Sequence, residues 1–277
     1  MGSDFTEKRV LVTGSTMGIG RGAVEMFLES GARVAVNGRN PETVATAIEE
    51  MGGEGLVAAP GDVGTIEGCQ AVVETAVAGL GGLDVLVNNT GICPLARLLE
   101  ITEEHWDEVI NVNLRSAAFC TKFALPELRK SKGNIVNIGS ISGLIAGPSD
   151  SFVYAISKGG MINMTRTMAI ELAGDGVRAN CLCPGYINTP MIDNENKATG
   201  GQVIEFINAA APMGRIGTVR ECASSIVYLA SEDAGYITGS ILSNDGGCAA
   251  NASWGGVNHL DSDGLGGASY TPTPRDS

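Results

Sequence analysis

The sequence predicts an α/β fold, a doubly wound parallel sheet of about seven strands with helices on both faces. Short apolar runs of strand length alternate with stretches of helix length from residue 9 to residue 243, which is the alternation that a parallel sheet with crossover helices requires. The first run stops at a glycine cluster that opens directly into a helical pattern. The composition, 44% hydrophobic and 18% charged over 277 residues, is that of a well-packed globular chain, and it shows no break at mid-length. Residues 1–248 therefore read as one domain. Residues 249–277, rich in Gly, Ser and Asp, read as an extension that is flexible or docked through Trp254 on the body or on a neighbouring subunit.

Each element follows from its residues. Arg9-Val-Leu-Val-Thr13 is the first strand, and Gly14-Ser-Thr-Met-Gly18-Ile-Gly20 leads into a helix through Met26, Phe27 and Leu28. Such a turn lets the backbone approach a pyrophosphate, and the helix start offers it free N–H groups and positive partial charge. Gly31 to Arg39 holds the second strand of a βαβ unit, and Pro41 starts a helix to about Met51. Leu56 to Ala59 is a third strand and Thr65 to Val77 a helix. Asp84 to Val87 is a fourth strand that runs into Asn88-Asn-Thr-Gly91. Thr102-Glu-Glu-His105 has the form of an N-cap with acids in the first turn, and Asn113 falls inside the helical segment that follows. Asn134 to Ser140 is a buried fifth strand, followed by a helix from about Tyr154 to Ala173 and a sixth strand from Gly176 to Leu182. Pro184-Gly185 begins an irregular stretch to about Gly217. A helix from Arg220 to Ala230 and a short strand from Ser240 to Ser243 complete the pattern.

Charge and cysteine usage exclude several classes. A formal charge of −13 argues against nucleic acid and anionic membranes as partners. No apolar run has the length that spans a bilayer, and Met1 to Arg9 has no signal-peptide core, so the expected location is cytoplasmic. Seven scattered cysteines without a Cys-x-x-Cys pair, beside only two histidines, leave no basis for a metal site or a disulfide framework. Cys181 and Cys183 share a strand face as small, reduced packing residues.

The chemistry points to Tyr154 and Lys158. A tyrosine and a lysine four apart share one helix face, so the ammonium is expected to favour the phenolate and make Tyr154 a usable acid or base. Ser140, at the carboxyl end of its strand, is placed to hold a substrate oxygen while Tyr154 moves the proton. A hydrolase built on the serine fails on spacing, because Gly139-Ser-Ile-Ser-Gly143 centres on Ile141 rather than on a nucleophile.

Thr13-Gly14-x-x-x-Gly18-x-Gly20, Asp62-Val63, Asn88-Asn-Thr-Gly91, Asn113, Ser140, Tyr154-x-x-x-Lys158 and Pro184-Gly185 stand in the order and spacing of the short-chain dehydrogenase/reductase family, which the chain resembles over residues 8 to 248. The resemblance implies a Rossmann fold, an NAD(P)-dependent alcohol dehydrogenase or ketoreductase, and a homotetramer or homodimer. It carries over Asn113, Ser140, Tyr154 and Lys158 as the catalytic set: Tyr154 exchanging the proton, Ser140 orienting the oxygen, Lys158 lowering the Tyr154 pKa and holding the nicotinamide ribose, Asn113 anchoring a relay water. For the cofactor it implies the turn Gly14, Ser15, Thr16, Met17, Gly18, Ile19 and Gly20, with Asp62 and Val63 at the adenine, Asn88 and Gly91 at the adjoining ribose, Ile187 and Thr189 at the carboxamide, and Pro184 and Gly185 as further contacts.

Two departures stand out. Thr90 replaces the usual alanine, and the interval from Ser140 to Tyr154 is one residue longer than the commonest, which makes Ser142 an alternative serine and requires the loop to bulge. The end of strand two carries Gly38-Arg39 in place of the aspartate of NAD users, and a guanidinium there pairs with a 2′-phosphate, so NADP is expected over NAD. Ser142, Leu144, Leu95, Phe152, Tyr186 and Met191 are expected to line the pocket, which favours a small neutral or partly apolar ketone or alcohol. A 3-oxoacyl thioester on an acyl carrier protein is the alternative substrate, through a basic patch at Arg129, Lys130 and Lys132. A scaffold that binds cofactor without turnover is the remaining alternative. Enoyl reductases of the superfamily show a longer tyrosine to lysine spacing than this chain has.

Overall fold

The computed structural model describes residues 4–146, 150–198, 204, 207–208 and 210–251. Seven strands form one sheet in the order β3-β2-β1-β4-β5-β6-β7, all pairs parallel. The strands are β1 (Arg9–Val12), β2 (Arg33–Val36), β3 (Leu56–Ala58), β4 (Val85–Asn88), β5 (Asn134–Ile138), β6 (Arg178–Pro184) and β7 (Ile241–Asn244). The helices between them are α1 (Gly18–Glu29), α2 (Pro41–Glu50), α3 (Ile66–Leu80), α4 (Glu103–Ile110), α5 (Ser116–Ser131), α6 (Phe152–Leu172), α7 (Pro190–Ala198) and α8 (Val219–Ala230). The strand order reverses between β1 and β4, and this is the Rossmann-like α/β architecture, with its binding crevice at the carboxyl ends of the strands.

Strand residues alternate between two cores. Val10, Val12, Val34, Val36, Val85 and Val87 pack with α1 and α8 on one face, through Phe27 and Ile226. Leu11, Ala35, Leu86 and Ile135 pack with α3 and α5 on the other, through Val72 and Leu128. Period-two alternation within fully buried strands is what a sheet covered on both sides demands.

Two elements differ from expectation. Part of the stretch read as irregular forms α7: Pro190 occupies its first turn with Asp193, and Lys197 lies in its last, so the proline that suggested a break starts a helix instead. The helical segment around Asn113 is not continuous α-helix, because Asn111–Arg115 is a π-turn between α4 and α5; such turns concentrate at functional sites. The longer Ser140 to Tyr154 connection begins with a tight turn at Ile141–Gly143, and the expected bulge falls partly on 147–149, outside the described residues. The tail from 252 onward, Trp254 included, lies outside them too.

Phe27 is fully buried and meets Phe5 edge to face at 5.1 Å between ring centroids. Phe27→Ala is expected to cost about 3–5 kcal/mol, read from the midpoint of urea unfolding; a loss below about 1 kcal/mol would show that the α1 core does not depend on it.

Candidate active site

The crevice is built from the turns that end β1, β4, β5 and β6. After β1 the chain reverses through Gly14 and Gly18, at φ 60° and 58°, a left-handed conformation that side chains rarely adopt. Helix α1 then starts without a side-chain cap and without an acid in its first turn. Helices α2, α3, α4 and α8 each have a cap, from Asn40, Thr65, Thr102 and Thr218. The open N–H groups of α1 therefore fit an anionic group such as a pyrophosphate.

The buried Asn37, which the sequence did not single out, and the half-buried Asn89 of the Asn88-Asn-Thr-Gly91 motif hold this turn. Asn37 accepts from the Gly14 N–H at 3.0 Å and donates to the Ala59 carbonyl at 2.9 Å, which ties the turn to the ends of β2 and β3. Asn89 donates to the carbonyls of Thr13 and Gly14 at 2.9 and 2.8 Å. The one visible cue is that a polar Asn37 ends the apolar run Val34-Ala-Val36.

Several implied cofactor residues turn out to serve the scaffold with their side chains. Ser15 is fully buried, its hydroxyl donating to the Val12 carbonyl at 2.7 Å. Val63 and Ile187 are buried in the two cores. A Cβ on Gly20 would stand 2.4 Å from the Asn89 amide nitrogen and 2.5 Å from the Gly14 oxygen, so Gly20 is needed for packing. Only the main chains of these residues are left to face a ligand. At Ile187 that is well arranged, because Gly217 bonds to Tyr186 and Asn188 and leaves the Ile187 N–H and carbonyl pointing the other way. Thr189 reaches over the glycine turn, its methyl 3.6 Å from where a Cβ on Gly18 would be.

At the end of β2, a Cβ on Gly38 would lie 2.8 Å from the Thr16 methyl and 3.1 Å from Val44, so the position is filled by packing. Arg39 beside it is exposed and takes part in none of the eight ion pairs among the described residues. It is a cation available to a phosphate.

On the other side of the crevice Lys158 is almost fully buried, and its ammonium donates to the Ile138 carbonyl at 2.8 Å. Its Nζ lies 5.6 Å from the centroid of the Tyr154 ring. Gly91 packs against it, since a Cβ there would stand 3.3 Å from Nζ and 3.5 Å from the Asn113 oxygen. Asn113 is fully buried. Its amide accepts from the Ile92 N–H at 2.8 Å and donates to the Ile92 carbonyl at 2.9 Å and to Ser157 at 3.1 Å. The side chain expected to anchor a water thus clamps the loop after β4 to α6. Asn88 likewise points beneath the sheet, donating to Asn137 at 2.8 Å and Thr121 at 3.1 Å.

Ser140 is the serine that meets Tyr154, whereas Ser142 gives its main-chain N–H to the Ser140 hydroxyl at 3.1 Å. The expectation that Lys158 depresses the phenol is not met. Burial pushes the Tyr154 phenol up to about 12, the hydrogen bond with Ser140 pulling weakly the other way, and burial pulls the Lys158 ammonium down to about 8. Loss of water around both groups outweighs their attraction across the ring. At neutral pH the pair is a phenol that holds its proton beside a charged ammonium.

Around this centre Leu95, Leu144 and Phe152 present apolar surface, each more than a third exposed. A parallel bridge between Ala96 and Ser151 joins the segments that carry Leu95 and Phe152. Tyr186 packs with Ile141, Ala211 and Cys248; Met191 lies in α7, its side chain outside the description. A separate cavity of about 630 Å³ lies at the amino ends of β4, β5 and β6, lined by Val85, Asn134 and Arg178 among others. None of the predicted site residues lines it. Among the described residues no cluster of ligand-type side chains could hold a metal ion, and all seven cysteines are free thiols.

The tyrosinate absorbance of the protein minus that of Tyr154→Phe isolates this one phenol. It is expected to stay absent at pH about 10, where a free phenol is half ionised, and to rise with a midpoint near 12. A midpoint below 10 would show the ammonium prevailing over burial.

Comparison with known proteins agrees with this geometry. A family profile described as enoyl-(acyl carrier protein) reductase matches residues 14–249. The 3-oxoacyl-[acyl-carrier-protein] reductase FabG of Thermotoga maritima is 38% identical over 248 residues, 87% of this chain and 97% of the relative. Dehydrogenase/reductase SDR family member 4 of Pongo abelii is 36% identical over 252 residues, 88% of each chain. A crystal structure assigned as a short-chain alcohol dehydrogenase from Sinorhizobium meliloti 1021 superposes with a TM-score of 0.83 at 35% identity, covering 89% of this chain and 98% of that one. With its parallel sheet, its glycine turn and its serine, tyrosine and lysine at one crevice, the chain belongs to the short-chain dehydrogenase/reductase family of oxidoreductases.

Proposed function

We propose that the chain is an NADPH-dependent ketoreductase that acts on a small, neutral or partly apolar ketone. The observation that carries this reading is the cluster at the carboxyl end of β5, where Tyr154 meets Ser140 and has the buried Lys158 ammonium 5.6 Å from its ring. A carbonyl oxygen held between the two hydroxyls accepts hydrogen bonds from Ser140 and Tyr154, and Tyr154 gives up its proton as negative charge develops there. The nicotinamide dinucleotide, when bound, supplies the hydride to the carbonyl carbon. Lys158 keeps a positive charge beside the forming phenolate and is the group to hold the ribose hydroxyls. Asn113 positions Ile92 and Ser157 and so fixes the floor under both. Gly14, Thr16, Met17, Gly18 and Ile19 would cradle the phosphates at the start of α1. Asp62 is the residue for the adenine, Asn88 and Gly91 for its ribose, and the main chain of Ile187 with Thr189 for the carboxamide.

The choice of NADP over NAD rests on Arg39, exposed beside a position that carries no carboxylate. The apolar Leu95, Leu144 and Phe152 favour an uncharged substrate. A 3-oxoacyl thioester is the second reading, because the T. maritima relative carries that name. The basic patch that would greet an acidic carrier protein is weaker than its residues suggest: Arg129 pairs with Asp175 and Lys130 with Glu127, leaving Lys132. The intact Ser140, Tyr154 and Lys158 speak against a scaffold without turnover. Their four-residue tyrosine to lysine spacing speaks for carbonyl over enoyl reduction. No described helix is long and apolar enough to cross a membrane, and with seven free thiols this suits a cytoplasmic protein; a homotetramer or homodimer is the expected assembly.

Two substitutions test the reading against a panel of ketones and 3-oxoacyl thioesters with both cofactors. Tyr154→Phe should lower kcat by about 10²–10⁴-fold, as loss of a general acid does, with the NADPH dissociation constant unchanged; near-normal turnover would remove Tyr154 from the reaction. Arg39→Asp should shift the NADPH to NADH ratio of kcat/KM toward NADH by roughly 10- to 100-fold, the range of a charge-assisted hydrogen bond, whereas an unmoved ratio would remove Arg39 from cofactor choice.

A further inference from the structure

Four buried side-chain atoms have no hydrogen-bond partner among the described residues: Asn88 Oδ1, Thr90 Oγ1, His105 Nδ1 and Asn134 Oδ1. Thr90 stands where the family resemblance leads one to expect alanine, so its hydroxyl is a group the fold itself does not require. Its place is the wall of the crevice shared by β1 and β4: Thr90 Oγ1 lies 2.8 Å, and its Cα 3.0 Å, from where a Cβ on Gly14 would stand. A sealed hydroxyl without a partner destabilises a fold by its lost hydration, and valine would fill the same shape without that cost.

The main chain of Thr90 is fixed. Both its own N–H and that of Asn89 converge on the Thr13 hydroxyl, at 3.2 and 3.0 Å. What remains free is rotation about Cα–Cβ among staggered positions, and the residue as a whole is partly open even though Oγ1 is not. Such a rotation takes the hydroxyl off Gly14 and toward the partly open side of the residue, beside the glycine turn that leads into α1.

We infer that Thr90 Oγ1 is a hydrogen-bonding group for the ribose-phosphate portion of the dinucleotide, turned out from Gly14 on binding. This rests on the dinucleotide reading above. The hydroxyl can donate to a phosphate oxygen or exchange a hydrogen bond with a ribose hydroxyl, and the cost of leaving it unpaired in the free protein is recovered in the complex. Thr90 is then a cofactor-positioning residue particular to this chain, with no part in proton transfer.

Thr90→Val and Thr90→Ser, compared with the unmodified protein, test this by calorimetric titration with NADPH, NADH and ADP-ribose and by thermal melting without ligand. Thr90→Val is expected to melt no lower than the unmodified protein, to bind the preferred dinucleotide about 5- to 30-fold more weakly, and to lose similarly toward ADP-ribose, which lacks the nicotinamide. Thr90→Ser should bind within about twofold of the original. Unchanged affinity in Thr90→Val would overturn the inference. So would a loss confined to the whole dinucleotide and absent with ADP-ribose, or weaker binding that accompanies a lower melting temperature in both variants, which would make Thr90 structural. If the unmodified protein binds neither dinucleotide, the cofactor reading itself fails and this assignment with it; if it binds and only Thr90→Val is indifferent, the cofactor reading stands alone.

Discussion

One buried ammonium organises the crevice. Lys158 sits 3% exposed, in none of the ion pairs among the described residues, with the thiols of Cys181, Cys183 and Cys93 around it. A cation in that setting is costly unless hydrogen-bonded, and the Ile138 carbonyl at the end of β5 supplies the bond. The surroundings close in on it. Gly91 leaves room for Nζ, and a Cβ on Gly143 would stand 2.6 Å from the Lys158 main chain, so the turn after Ser140 lies directly on α6. The position of Ser140 relative to Tyr154 is therefore set by the same packing that buries the lysine.

Beneath that layer a chain of amides joins the strands to the helices. Asn88 of β4 donates to Asn137 of β5, and Asn137 donates to Thr165 of α6 at 2.9 Å. Asn113 bridges the loop after β4 to Ser157 of α6. The donors of this network are paired, while Asn88 Oδ1 has no partner among the described residues; paired members of a buried network define a single arrangement. The π-turn at Asn111–Arg115 is what turns Asn113 inward between α4 and α5.

How far this was readable from the residues depended on the range of the interactions. The order of strands and helices, the glycine turn and the tyrosine-lysine pair are local patterns, and each lies where the sequence places it. Asn37 carries no spacing to read, because its partner lies 23 residues away in the chain; Asn89 stands inside the Asn88-Asn-Thr-Gly91 motif, but its bonds to Thr13 and Gly14, about 75 residues away, form only in the fold. The side chains of Ser15, Val63 and Ile187 belong to the cores, a distinction between side chain and main chain that a motif does not make. The direction of the Tyr154 shift depended on burial, which the (i, i+4) rule leaves out. The basic patch is weaker than its residues suggest for a similar reason, since Asp175 and Glu127 reach Arg129 and Lys130 only in the fold.

Charge also shapes what the crevice can attract. A chain of net charge −13 repels a dinucleotide at long range, so the binding proposed above relies on local features: the uncapped start of α1, the main chain of the glycine turn and Arg39, which is in none of the ion pairs among the described residues. The most direct measurement of the central claim is the fate of the hydride. With NADPH deuterated at the transferable C4 position and an unlabelled apolar ketone, one deuterium is expected on the carbinol carbon of the product. A product free of deuterium would contradict hydride transfer at this crevice.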